Sequence, residues 1–245
     1  MSKILLVTGG GRGIGAAIVR KAAAQGFKVA INYASDKKSA EDLAAEVGNA
    51  VAIAGDVAKP EDVSRLFDET ERLLGPVTHL VNNAGITGKS SRLDAASPET
   101  IATCIAVNLT GSILVAREAV RRMATRHGGK GGVIVNISSA ATTIGSPGEY
   151  VWYAASKGAI DSFTIGLAKE VIDDGIRVNA VAPGMTETEI HDLSSGDPGR
   201  VERIRPSIPM KRIGKPEEIA DAVMFLLGDT SSYMAGAIIR VAGGR

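Results

Sequence analysis

Residues Ile4 to Val7 form a short apolar run that stops at Thr8. Gly9-Gly10-Gly11-Arg12-Gly13-Ile14-Gly15 follows, and Ile18 to Ala24 then carries a helical apolar pattern. A strand that enters a helix through a turn this rich in glycine leaves few folds open. Glycine is needed where the chain turns with positive φ, where backbone N–H groups approach a pyrophosphate, and where the helix packs closely on its strand. Alone, the turn could be no more than a tight connection; its place at the first strand–helix junction favours phosphate binding. A nucleoside-triphosphate loop is excluded, because Gly15 is followed by Ala16 and not by Lys and then Ser or Thr.

The alternation of strand and helix continues to the end of the chain. Strand-like runs at Lys28 to Tyr33, Ala50 to Ala54, Val77 to Val81, Gly131 to Ser139, Ile176 to Val181 and Ala237 to Val241 are separated by helical patterns. This order predicts an α/β fold, a Rossmann-type doubly wound parallel sheet of about seven strands with helices on both faces. The 245 residues suit one dinucleotide-binding and catalytic domain spanning 1–245. With 44% hydrophobic residues, only 4% aromatic and 29 glycines, the interior is expected to be Ala, Val, Ile and Leu between closely approaching layers. Basic and acidic residues nearly cancel, 28 against 27, which leaves no field to draw the protein onto nucleic acid. Cys104, the one cysteine, cannot form an internal disulfide and reads as a core position. No apolar run approaches about 18 residues, so the expectation is a cytoplasmic chain with no membrane partner.

Ligands of such a sheet sit beyond the carboxyl ends of its strands, and the residues there form the candidate cofactor set. Gly9, Arg12, Gly13, Ile14 and Gly15 belong to the glycine turn, and Asn32, Tyr33 and Ser35 lie where the second strand faces the adenosine ribose. A carboxylate in that place would bond the ribose hydroxyls of NAD and repel a 2′-phosphate. Arg12, Lys37 and Lys38 lie close instead, which favours NADP(H) over NAD(H). The lysines could equally be the solvated start of the next helix, and Asp36 is a carboxylate able to turn toward the ribose. Asp56 and Val57 follow the third strand; Asp56 either meets the adenine amino group or caps a turn before the helix that Pro60 opens. Asn83, Ala84 and Gly85 end the fourth strand, where small residues let a cofactor lie against the backbone. Pro183, Gly184 and Thr186 complete the set, at the head of a segment of about residues 185–215 whose Ser, Asp, Gly and Pro content marks a substrate lid.

Tyr153 and Lys157, four apart on a helix, share a face, so a phenol and an ammonium can point into one cleft. A neighbouring cation draws a phenol down from its ordinary pKa of about 10. The fifth strand ends in Ser138-Ser139 and brings one hydroxyl beside that phenol. Asn108 lies in the apolar stretch Ile105 to Leu109 of a helix opened by Ser97-Pro98-Glu99. A buried asparagine must be hydrogen-bonded, so it either props the backbone or holds a water beside the reacting groups. His79, His127 and His191 are scattered without ligand spacing, and no metal site is expected. Each reads as a surface or capping residue; for His191 alone, inside the lid, contact with substrate is the alternative.

Together these residues resemble the short-chain dehydrogenase/reductase family, almost from end to end. Thr8 to Gly15 stands as its T-G-x-x-x-G-x-G, Asn82 to Gly85 as its N-N-A-G, Asn108 as its helix asparagine, Tyr153 to Lys157 as its Y-x-x-x-K, and Pro183-Gly184 as its P-G. Thr188 occupies the place of the family's threonine that contacts the nicotinamide carboxamide. The family's serine stands where this chain has Ala140. One inserted residue within Pro147 to Trp152 restores the register, because Ser139, Gly145 and Pro147 keep their relative order; Ser139 then stands for the family's serine, with Ser138 as the fallback, and the departure bears on the rim of the substrate pocket. The resemblance implies catalysis by Asn108, Ser139, Tyr153 and Lys157: Ser139 polarises a carbonyl, Tyr153 donates the proton in reduction, Lys157 lowers the Tyr153 pKa and holds the nicotinamide ribose, and Asn108 anchors a water. It also implies a small-molecule carbonyl or alcohol substrate, such as a sugar, a small ketone or a 3-oxoacyl thioester. A homotetramer of 222 symmetry, paired through Ser112 to Arg126 and Tyr153 to Ile172 and through the last helix and strand, follows in the same way. The rival reading, a nucleotide-sensing protein without chemistry, predicts damage to the four catalytic positions, and all four are present.

Overall fold

The computed structural model describes residues 3–188 and 199–245. Among them, β1 (Ile4–Val7), β2 (Lys28–Tyr33), β3 (Ala50–Ala54), β4 (His79–Asn82), β5 (Gly132–Ile137), β6 (Ile176–Pro183) and β7 (Ile238–Val241) form one sheet in the order β3-β2-β1-β4-β5-β6-β7. Every neighbouring pair is parallel. The helices are α1 (Gly13–Ala24), α2 (Lys37–Val47), α3 (Pro60–Leu74), α4 (Pro98–Ile105), α5 (Ser112–Met123), α6 (Ala141–Ile144), α7 (Val151–Val171), α8 (Arg200–Ile204) and α9 (Pro216–Leu227).

A parallel sheet is covered on both faces, and the period of two sends alternate side chains to opposite layers. Leu5 and Val7 of β1, with Val29 and Ile31 of β2, pack against α1, α2 and α9. Leu6 and Ala30, one residue out of step, pack against α3, α5 and α7. Leu5, Leu6 and Ile31 lose all exposure, and burial of each side chain contributes about 1.5–3 kcal/mol. Proline opens α3, α4 and α9 at the position where its missing N–H has no partner to lose, and Ser97 Oγ caps α4 by accepting from Thr100 N at 3.1 Å.

Two expectations are corrected here. β4 starts at His79 rather than Val77, because Thr78 is spent on β1: its hydroxyl accepts from Ile4 N at 2.9 Å. His79 is therefore neither a surface nor a capping residue. It is buried in the central strand, edge-on to Phe27 with ring centroids 5.0 Å apart, and burial pushes its pKa down to about 4. The second correction concerns the helix of Asn108. α4 and α5 are joined by a π-helical turn, Ala106–Gly111, into one continuous helix from Pro98 to Met123. Its 26 residues and mean hydropathy of 1.5 over the most apolar stretch would, by length and composition, suffice to cross a membrane. Here its inner face, with Cys104, Asn108, Val115, Ala119 and Met123, is buried.

Candidate active site

The chain order reverses between β1 and β4, and the crevice beyond their carboxyl ends is a cavity of about 810 Å³. Its floor is a hydrogen-bonded frame. The Thr8 hydroxyl accepts from the N–H groups of Asn83 and Ala84 at 2.9 and 3.0 Å, and Asn83 Nδ2 donates to the carbonyls of Thr8 and Gly9, both at 2.9 Å. A Cβ on Gly15 would lie 2.5 Å from the Gly9 carbonyl oxygen, so the frame closes only around glycine. Asn32 belongs to the frame as well. It is buried, with Oδ1 accepting from Gly9 N at 3.3 Å and Nδ2 donating to Gly55 O at 2.9 Å.

The polar groups around the end of β2 sort themselves by their bonds. Asp36 caps α2, accepting from Ser39 N at 3.1 Å; the bonds to Ser39, with the Arg12 charge nearby, hold its carboxyl below the usual range. Lys37 and Lys38 pair along the exposed surface of α2 with Glu41 and Asp42, at 3.5 and 2.5 Å, so they behave as the solvated start of that helix. Asp56 Oδ1 accepts from Ala58 N at 3.0 Å, the turn-capping alternative. Arg12, Tyr33 and Ser35 line the cavity.

At the other end of the cavity the ends of β4 and β5 face α7. Lys157 is buried and its Nζ donates to the Ile137 carbonyl at 2.7 Å; burial pushes its pKa down to about 8. The Ser139 hydroxyl lies beside the Tyr153 phenol in the cavity wall, and Ser139 Oγ accepts from Ala141 N at 3.1 Å. Ser138 turns the other way, donating to Asp161 at 2.5 Å. Burial pushes the Tyr153 phenol up and the Ser139 hydroxyl beside it opposes the shift. The expectation that Lys157 sets a lowered Tyr153 pKa is thus not met by this geometry: the ammonium is held by a carbonyl, 5.9 Å from the Tyr153 ring centroid. Of the alternatives for Asn108, its side chain props the backbone. Oδ1 accepts from Ile86 N and Nδ2 donates to Ile86 O, both at 2.8 Å, with a further bond to Ser156 Oγ at 3.1 Å. The Ile86 so held continues from Gly85, where an added Cβ would stand 3.4 Å from both Asn108 Oδ1 and Lys157 Nζ.

Every candidate cofactor residue, together with Ser139, Tyr153 and Lys157, lines this one cavity, while Asn108 lies beneath its wall. Thr188 crosses the glycine turn, so that a Cβ on Gly13 would meet its Cγ2 at 3.1 Å, and Thr186 is bridged to Gly214. His191 lies outside the described residues. Sequence reasoning missed Glu149, Tyr150 and Arg200, which also face the cavity. The inserted residue in Pro147 to Trp152 pointed to the rim they occupy, but nothing local pairs residue 149 with residue 200.

Known proteins resemble this chain in sequence and fold. A family model described as enoyl-(acyl carrier protein) reductase matches residues 9–245. An uncharacterized oxidoreductase YgfF of Escherichia coli is 46% identical over 99% of both chains, and a human 3-oxoacyl-[acyl-carrier-protein] reductase is 39% identical over 100% of this chain and 98% of its own. A 3-ketoacyl-(acyl-carrier-protein) reductase from Brucella melitensis, solved in complex with NADH, superposes with a TM-score of 0.92 at 34% identity, covering 99% of this chain and 98% of its own. A parallel sheet reversed at its glycine turn, with a tyrosine and a lysine on α7 facing that turn across one cavity, carries the same message as these matches, and the chain belongs to the short-chain dehydrogenase/reductase family of oxidoreductases.

Proposed function

We propose that the protein catalyses reversible hydride transfer between a nicotinamide dinucleotide and a carbonyl or secondary alcohol, with Ser139, Tyr153 and Lys157 at the reacting end and Asn108 supporting them. The observation that carries this reading is that one cavity joins the glycine frame to the neighbouring Ser139 and Tyr153 hydroxyls. The residues fit a dinucleotide: glycines at 9, 13 and 15 leave the backbone bare at the start of α1, and Gly85 opens a cradle beside Lys157. Bound there, the dinucleotide supplies or accepts the hydride at the substrate carbon. Ser139 donates a hydrogen bond to the substrate oxygen, and Tyr153 passes its phenolic proton to that oxygen as the C–H bond forms. Lys157 is a cation beside the path of that proton, and Asn108 keeps Ile86 and Gly85 in line. In the reverse direction Tyr153 accepts the alcohol proton.

For the cofactor we propose NADP(H), held at the 2′-phosphate by Arg12 and Ser35. The support is that Asp36, the carboxylate nearest that place, is occupied as a helix cap, while Lys37 and Lys38 are paired elsewhere and add little. A charge-assisted contact of about 1.5–3 kcal/mol corresponds to a preference of roughly tenfold to a hundredfold. The test is kcat/KM for a panel of sugars, small ketones and 3-oxoacyl thioesters with NADPH and with NADH, in wild type and in Arg12→Ala. Absence of turnover across the panel overturns the reaction; a preference for NADH, or an unchanged ratio in the variant, overturns the cofactor assignment. We further propose a homotetramer, paired through α5 and α7, whose outer faces expose Ile113 and Ile165.

A further inference from the structure

Glu149 and Tyr150 end the connection from α6 to α7, the stretch that carries the inserted residue. Across the cavity Arg200, the first residue of α8, is only 5% exposed. Its Nε and Nη2 donate to the two oxygens of Glu149 at 3.0 and 2.8 Å, a bidentate pair, and Nη2 also donates to the Tyr150 hydroxyl. The guanidinium stands 5.3 Å from the centroid of the Tyr150 ring. That ring is itself buried and meets the Tyr153 ring edge-on, with centroids 5.5 Å apart and planes at 84°. A buried ion pair gives little net stability over apolar residues of the same volume. In the wall of a reaction cavity, against the residue that handles the proton, it has another use.

We propose that Arg200 is a positioning residue for Tyr153: clamped by Glu149, its guanidinium fixes Tyr150 against the Tyr153 ring and sets both the orientation and the proton affinity of the phenol. The inference rests on the reading of Tyr153 as acid and base given above. The groups facing Tyr153 are Lys157 on its own helix, Ser139 from the end of β5, Cys104 from α4, Tyr150, and Arg200 from across the cavity; Glu149 and Arg203 act on the Arg200 side, at the clamp itself. Lys157 is held by a carbonyl and has a depressed pKa, and the Cys104 thiol is pushed up by burial. A guanidinium keeps its charge at any working pH. The Arg200 charge pulls the Tyr153 phenol downward, against burial.

The experiment is the pH profile of kcat for oxidation of whichever alcohol the wild-type protein accepts, measured for Arg200→Met, Arg200→Lys and Glu149→Gln, with dinucleotide affinity as a check on folding. Oxidation needs the phenolate, so kcat rises with pH through the Tyr153 pKa, and removing a cation moves that rise to higher pH. Arg200→Met is expected to move it up by about half a unit or more and to lower kcat about tenfold, with dinucleotide affinity kept. Arg200→Lys restores the position of the rise but not the full kcat, because an ammonium cannot hold Glu149 bidentately. Glu149→Gln, which keeps the cation and loosens its clamp, lowers kcat without moving the rise upward. A raised KM with an unmoved profile would make Arg200 a substrate contact and overturn the proposal, as would loss of dinucleotide binding in both arginine variants. If the wild-type protein turned over no substrate, the reaction itself would be at fault. The ultraviolet titration of tyrosinate, taken as the difference from Tyr153→Phe, then decides the proposal: the Tyr153 component must move upward in Arg200→Met, and an unmoved component overturns it.

Discussion

At the scale of single residues, Tyr153 is pulled two ways, upward by burial and downward by the neighbouring Ser139 hydroxyl, and its phenolic oxygen is the one atom that the proposed chemistry cannot lose. Tyr153→Phe keeps the ring packed on Tyr150 and removes that oxygen. Turnover should fall by more than about a hundredfold while dinucleotide affinity stays within about twofold, and steady-state kinetics with a fluorescence titration read both. The two serines separate by direction. Ser139→Ala should lower kcat strongly, whereas Ser138→Ala breaks a bond to Asp161 and should cost about 1–2 kcal/mol of stability with turnover nearly kept; the reverse order would relocate the active hydroxyl. Ser139 was legible because a strand end and the next helix fix where a hydroxyl and a phenol meet. The Glu149–Arg200 pair was not, since it joins residues 51 apart through a segment with no periodic pattern. The hold of Ile137 on Lys157 was hidden for a related reason: it needs the end of β5 laid beside α7.

At the scale of elements, the strands were legible from short apolar runs and their glycine and proline boundaries, to within a residue or two at their ends. The π-helical turn at Ala106–Gly111 was not, because a run of Ala, Val, Leu and Thr reads as plain helix. Its i→i+5 closure seats Asn108 below Gly85 while α5 keeps Val115, Ala119 and Met123 on the core side. The turn holds one residue more than an α turn, so removing one residue would restore an α-helix and rewind the backbone that carries Asn108. Deletion of Thr110 is therefore expected to leave the far-ultraviolet circular dichroism nearly unchanged and to cost more than about a hundredfold in turnover, because Asn108 then leaves Ile86. Retained turnover would show that the turn is incidental.

At the scale of the molecule, acid should act through the sheet before it acts on the cavity. His79 has a folded pKa of about 4 against an ordinary 6.5, so below 6.5 the unfolded chain takes up a proton that the folded one refuses. Stability is full above that range and falls as pH drops from 6.5 toward 4. Between about pH 7 and about pH 5 this one group should remove about 2 kcal/mol, seen as a lower urea midpoint that His79→Gln no longer shows. The assembly is tested by mass: light scattering at micromolar concentration should give four chains, and a monomer would remove the pairing through α5 and α7. A last consequence comes from the Thr8 hydroxyl, whose partners Asn83 and Ala84 lie 75 and 76 residues away. A chain emerging from the ribosome carries every glycine of the turn long before β4 can be placed beside β1, so the crevice has one wall until that loop closes. Dinucleotide affinity is in this sense a late event in biosynthesis, and a fragment that ends short of β4 should hold the whole motif and bind nothing.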